Sequence, residues 1–183
     1  DAGLVKIDLL GNRSLAVIRD ALAAIAVNGG RTIDYAAWDP ISDTATQELI
    51  RRGDTMGCFY VESPATRLLL KKLWTTMPPA QRAQADVFEY LVAVSSIIRP
   101  AANVFADDFV RRAHGQPYCA LHPLLETVLA ETHGIMVYQE DVMKVAVALG
   151  GFSVHDGDQL RKILSKKHKE RQLRDYQRQF YAG

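Results

Sequence analysis

Lys6 and Asp8 stand two residues apart in the apolar run Gly3-Leu4-Val5-Lys6-Ile7-Asp8-Leu9-Leu10-Gly11. On a strand, a side-chain period of two turns both charges to one face and Val5, Ile7 and Leu9 to the other. A carboxylate among hydrophobes is costly to desolvate unless a cation or hydrogen-bond donors meet it. In one reading, Lys6 and Asp8 face water at a strand end. In the other, Asp8 is an active-site carboxylate beside a phosphate-binding lysine. The spacing leaves both open.

The second concentration of chemistry lies near the other end. Residues 161–178 hold eight basic side chains (Arg161, Lys162, Lys166, Lys167, Lys169, Arg171, Arg174 and Arg178) against Glu170 and Asp175. That stretch carries +6 in a chain of net charge +1, so the remainder carries −5. Such a block is either a solvated helix face or a surface for an anionic partner, nucleic acid or polyphosphate. Other chemistries lack their signatures. No glycine-rich loop ends in Gly-Lys-Ser/Thr, and neither G-x-G-x-x-G nor G-x-S-x-G occurs. The five histidines form no i, i+4 pair and no cluster with cysteine, so a zinc site is not expected. Cys58 and Cys119 have no metal-ligand spacing, and their apolar neighbours predict buried free thiols in a reducing compartment. Asp107-Asp108 is a pair by sequence only, since adjacent helical residues diverge, and a solvated helical turn is expected.

With 183 residues the chain can build one good core, with or without an appendage. No apolar run approaches the roughly 20 residues that cross a bilayer. The first residues carry no basic segment followed by an apolar one, so no signal peptide is expected. The chain reads as an excised piece of a longer protein, cut close to a structural element.

The elements that must position these residues are mostly helical. Asn12 or Ser14 can cap a helix to about Ala26, halted by Asn28-Gly29-Gly30, and residues 31–42 read as a connection. Ser42 or Asp43 caps a short helix to Arg52. Ser63-Pro64 places an N-cap before a proline at the first helical position, for a helix through Leu73. Further helices are expected from Pro78-Pro79, over the apolar stretch 87–98, over 103–113, from His122-Pro123 to about Glu131, over Gln139–Leu149 and over Asp156–Leu164, followed by the basic terminal helix. Three short β-like pieces complete the set: 3–11, Met56–Tyr60 and Gly134–Tyr138. The expected class is mainly α with a few short β segments (α+β).

Seven blocks occur in a telling order: Gly3–Gly11; Arg51-Arg52-Gly53-Asp54-Thr55-Met56-Gly57 through Ser63; Arg99-Pro100; Asp107–Gly115; Leu121-His122-Pro123-Leu124-Leu125; Glu131-Thr132-His133-Gly134-Ile135-Met136-Val137-Tyr138-Gln139-Glu140-Asp141-Val142-Met143; and Asp158–Lys167. This series resembles the catalytic alpha subunits of bacterial DNA polymerase III, the C-family replicative polymerases. The resemblance covers essentially the whole chain, and Gly134–Met143 is its most specific stretch. It implies that residues 1–12 are the last palm strand and residues 13–183 part of the fingers. It also implies that Asp8 is one of three aspartates binding two magnesium ions, the other two lying outside this chain, with Lys6 close to the incoming triphosphate. Arg161 and Lys162 would contact the nucleotide, and Lys166, Lys167 and Lys169 phosphate or DNA backbone. The implied reaction is template-directed addition of deoxynucleoside monophosphates to a primer 3′ end, by a bacterial cytoplasmic enzyme that this piece alone would not reconstitute. The implied partners are primer–template DNA, deoxynucleoside triphosphates and, through regions outside this chain, other replicase subunits such as the sliding clamp. No membrane is implied.

The sequence departs from the family pattern at Ala101-Ala102, where Gly-Pro is usual, at Lys162, where arginine is usual, and around Met77–Val87, which is longer. Lysine keeps the charge but loses bidentate phosphate geometry. These departures bear on whether the chain comes from a main replicative copy or an accessory paralogue. Apart from the resemblance, the residues also allow a non-catalytic helical module that binds DNA or an acidic protein through its basic terminal helix.

Overall fold

The computed structural model describes residue 7, residue 11 and residues 13–99, 103–164 and 170–183. The chain divides into two units, residues 1–43 and 44–183. In the first, helix α1 (Arg13–Gly29) contains no buried residue. It stops where Gly30 adopts a left-handed backbone, with φ at 62°. The connection after it carries a 3-10 turn, Tyr35–Ala37, capped by the Asp34 carboxylate. The Asp39 carboxylate then accepts from the amides of Ile41 and Ser42 at 3.1 and 3.3 Å. Apart from Ile7 and Gly11, the expected strand over 3–11 lies outside the described residues.

The second unit is helical. Helix α2 (Thr44–Arg52) ends at Gly53. Helix α3 (Pro64–Thr75) starts as its sequence predicts: the Ser63 hydroxyl accepts from the Thr66 amide and proline follows directly. Short α4 (Pro79–Gln84) precedes α5 (Val87–Ile97), whose first turn is capped by the Asp86 carboxylate on the amides of Phe88 and Glu89. Helix α6 (Ala106–Ala113) follows a 3-10 turn over Asn103–Phe105. Helix α7 (Pro123–Val128) is shorter than expected, because a separate 3-10 turn, Ala130–Thr132, takes up the chain toward His133. Helices α8 (Gln139–Gly150), α9 (Val154–Leu164) and α10 (Glu170–Ala182) complete the unit.

The core lies where α3, α5 and α6 meet. Leu70, Leu73, Trp74, Val94, Ile97 and Phe109 are at most 1% exposed. Tyr90 packs edge-on against both Trp74 and Phe109, at 5.5 and 6.0 Å between ring centroids. Asp107 and Asp108 occupy the solvated first turn of α6, as expected, paired with Lys72 and Arg111.

No strand occurs among the described residues, which corrects the two β-like expectations that fall there. Met56–Tyr60 is a turn. The Cys58 amide donates to the Thr55 carbonyl, and the buried Thr55 hydroxyl donates to the Val61 carbonyl at 2.6 Å. Gly57 and Tyr60 both take positive φ, which closes the turn against strand pairing. Gly134 turns with φ at 76°, and residues 135–138 after it pair with no strand among the described residues. The amides of Val137 and Tyr138 instead donate to the Asp141 carboxylate, at 2.9 and 2.8 Å, one turn into α8. The thiol expectation is also corrected: both cysteines are free, but Cys58 is half-buried in that turn and Cys119 is exposed in the loop before α7.

His133 joins three parts of the unit. It has a left-handed backbone, and its ring stacks on Tyr90 with Nε2 2.8 Å from the tyrosine hydroxyl. Its carbonyl accepts from Arg112 Nη1 at 2.9 Å. Burial first, and the Arg112 charge second, push its imidazole below the ordinary value of 6.5. The folded chain therefore favours the neutral ring.

Two outcomes follow from this packing. Leu70→Ala should cost about 2–5 kcal/mol in chemical denaturation, through reduced burial and a cavity. Leu68→Ala, on the same helix but 69% exposed, should stay within about 0.5 kcal/mol. As pH falls through about 6.5, the unfolded chain takes up a proton at residue 133 that the folded chain refuses, so stability is full above that pH and declines below it. His133→Asn, which tolerates the left-handed backbone, should flatten that acid limb, read as a smaller shift of denaturation midpoint than wild type between about pH 7.5 and about pH 5.5.

Candidate functional site

The described part of the basic block is built on α8, α9 and α10. Helix α9 begins with a reciprocal cap: the Asp156 amide donates to the Ser153 hydroxyl, which donates to the Asp156 carboxylate at 2.6 Å. This starts the helix two residues earlier than expected. Gly157, buried in its second turn, faces α8, where a Cβ would stand 3.0 Å from Met143 Cγ and 3.4 Å from the Met143 carbonyl. The missing side chain lets the two helices approach closely. Helix α10 lies against both. Phe152, 4% exposed, contacts Tyr176 and Phe180 at ring centroid distances of 5.9 and 6.3 Å. Leu173, Tyr176 and Phe180 fall on one stripe at helical spacing, and Arg171, Arg174 and Arg178 on an exposed one.

On α9, Asp158, Arg161 and Lys162 share a face through i, i+3 and i+4 spacing. One carboxylate meets both cations. Asp158 Oδ1 accepts from Arg161 Nε at 3.0 Å and Nη2 at 2.7 Å, while Oδ2 lies 2.6 Å from Lys162 Nζ. Gln139, in the first turn of α8, accepts from Arg161 Nη1 through its side-chain oxygen at 3.3 Å. Hydrogen bonds from Lys162 first, and Arg161 second, hold the Asp158 carboxyl below the ordinary carboxylate value, so it is ionised at neutral pH. Arg161 is partly covered and Lys162 half-exposed, leaving both accessible to a ligand.

The structure thus brings Arg161 and Lys162 together. Lys6, Asp8, Lys166, Lys167 and Lys169 lie outside the described residues. Sequence reading did not single out two participants. Asp158 was detectable from its i+3 and i+4 spacing to two cations. Gln139 was not, because its contact with Arg161 spans 22 residues and exists only after α8 and α9 pack.

No group of three acidic, histidine or cysteine side chains suited to a metal ion occurs among the described residues. A site for the implied magnesium therefore does not assemble from them. No helix among them is long and apolar enough to cross a membrane. An apolar cavity of about 560 Å³ lies beside α7 and α8, lined by Leu125, Leu129, Ile135, Met136, Leu149 and Phe180, and involves none of the candidate cations.

Residues 14–183 match the model of the bacterial DNA polymerase III alpha subunit finger domain. The chain is 38% identical over 166 residues to DNA polymerase III subunit alpha of Chlamydia pneumoniae, covering 90% of this chain and 12% of that protein. Against the protein of the same name from Neisseria meningitidis serogroup A, identity is 38% over 174 residues, 95% of this chain and 14% of that one. Against that of Halalkalibacterium halodurans it is 33% over 184 aligned positions, 100% of this chain and 15% of that one. The chain spans only 12–15% of the length of these relatives. With a family model matching from α1 to the last residue, the chain belongs to the finger-domain family of bacterial DNA polymerase III alpha subunits.

Proposed function

We propose that these residues are a fingers segment, with a palm strand at residues 1–12, of a DNA-directed DNA polymerase that extends a primer by one deoxynucleoside monophosphate at a time. The observation that carries this reading is the pair of adjacent cations, Arg161 and Lys162, on one accessible face of α9 in a chain of the finger-domain family. A triphosphate needs positive charge and directional donors to hold it for in-line attack. The planar Arg161 guanidinium supplies donors in a fixed fork, and Lys162 a mobile point charge. In this reading Lys166, Lys167 and Lys169, with the exposed arginines of α10, meet phosphates of the primer–template. Lys6 stands near the triphosphate. Asp8 supplies one carboxylate to a magnesium site completed by residues outside this chain. Magnesium there would lower the pKa of the primer hydroxyl and steady the leaving pyrophosphate. Other replicase subunits would engage regions outside these residues, in the bacterial cytoplasm.

The exposed stripe of Arg171, Arg174 and Arg178 favours a second reading, a non-catalytic DNA-binding module. Asp8→Ala in the full-length protein separates the two. Primer extension should collapse while primer–template affinity largely survives; unchanged extension would remove Asp8 from the chemistry. Arg161→Ala should raise the nucleotide KM about 10- to 100-fold, since a hydrogen bond to a charged group contributes about 1.5–3 kcal/mol.

DNA affinity should fall with salt. Neutralising Lys166, Lys167 and Lys169 together should flatten the log–log slope by about 0.9 for each duplex phosphate that these lysines neutralise. A slope identical to wild type would place them away from the backbone.

A further inference from the structure

We infer that Asp158 is a built-in counter-anion that occupies the cation pair until a polyphosphate displaces it, and that Gln139 is a positioning residue that keeps Arg161 aimed during the exchange. The inference rests on the nucleotide reading of Arg161 and Lys162. It goes further by assigning roles to two residues that carry no positive charge.

The geometry is that of a ligand already in place. The two Asp158 oxygens divide the cations between them, Oδ1 taking two guanidinium donors and Oδ2 the ammonium. A phosphate group offers the same kind of oxygen edge, with more charge. Because the pairing lies at the surface, solvent screens it, and such pairs contribute little and exchange readily. A carboxylate tied to its own helix cannot follow cations drawn toward a larger anion. Arg161 would then give up both hydrogen bonds to Asp158 and keep the one to Gln139. That remaining partner is neutral and sits on α8, so it fixes the guanidinium without competing for its charge. Gathered side by side beforehand, the donors lose less side-chain freedom on binding. Any anion that takes both cations must displace the same carboxylate, so Asp158 weakens triphosphate and shorter phosphates by a similar factor.

The test uses full-length polymerase in steady-state primer extension, with inorganic tripolyphosphate and pyrophosphate as competing probes. Asp158→Asn keeps the shape and removes the charge. It should lower the nucleotide KM about 2- to 5-fold, the range an exposed ion pair supports, with the change carried by KM rather than kcat. Inhibition by tripolyphosphate and by pyrophosphate should both tighten, by a similar factor. Gln139→Ala should raise KM, and Gln139→Asn, with a shorter amide, should recover less than the wild-type residue. Asp158→Ser repeats the charge removal with a smaller side chain. A residue that merely stabilised α9 would not tighten nucleotide binding when its charge is removed. If KM rises or stays unchanged in both Asp158 variants while Arg161→Ala raises it, the counter-anion role is overturned and the nucleotide reading stands. If Arg161→Ala leaves KM unchanged, the nucleotide reading falls and this inference with it.

Discussion

The buried carboxylate of Asp141 is the constraint on which much of the second unit depends. Only 2% exposed, it would be costly to hold ionised in an apolar setting without donors. The amides of Val137 and Tyr138 meet one oxygen, and Lys144 lies 3.7 Å from the other. Those contacts fix where the segment before the helix ends and where α8 begins. Ile135 and Val137 can then place their side chains in the core while Gln139 enters the first turn of α8. One carboxylate therefore sets the register between the packed interior and the residue that reaches Arg161. In the run from Gly134 to Met143, neither the segment before the helix nor the helix start stands alone.

From that point the structure grades from strong to weak interactions. The α3–α5–α6 core is closed by aromatic and aliphatic side chains with almost no exposure, and His133 ties its rim to the segment before α8. Helices α8 and α9 approach closely at Gly157, where a Cβ would crowd the Met143 side chain. The outermost layer consists of screened ion pairs, Asp158 with Arg161 and Lys162. In the proposed reading, a site that takes up and releases a charged ligand needs this order: rigid packing sets where the cations start, and weak pairing lets them change partner.

Sequence and structure agree most closely where a local signal carries its own satisfaction. Ser63-Pro64 contains both the hydroxyl that caps α3 and the proline that tolerates its first turn, so the helix starts where the residues say. The apolar stretch after Asp86 predicts a helix, and α5 runs over Val87–Ile97, although Phe88 and Val92 stay exposed rather than buried. Met56–Tyr60 and Gly134–Tyr138 misled for one shared reason. Apolar and aromatic runs have the composition of strands, but a strand needs a partner for its amides. Here those amides find a turn carbonyl or a carboxylate. The cysteines misled similarly: apolar neighbours in sequence say little about burial when the residue lies in a loop, as Cys119 does.

The sequence by itself determined the succession of helices, the cap of α3 at Ser63, the start of α7 at His122-Pro123, and the clustering of positive charge after residue 160. It also carried the family, because the ordered blocks are a property of the chain. Each rests on contacts within a few residues, where spacing fixes geometry. Only the tertiary structure decided that Gln139 meets Arg161, that Gly157 faces Met143, and that Asp158 holds both cations at once. The first two contacts join separate helices and depend on a packing distance that no local pattern encodes. The last depends on rotamers that the spacing permits but does not choose.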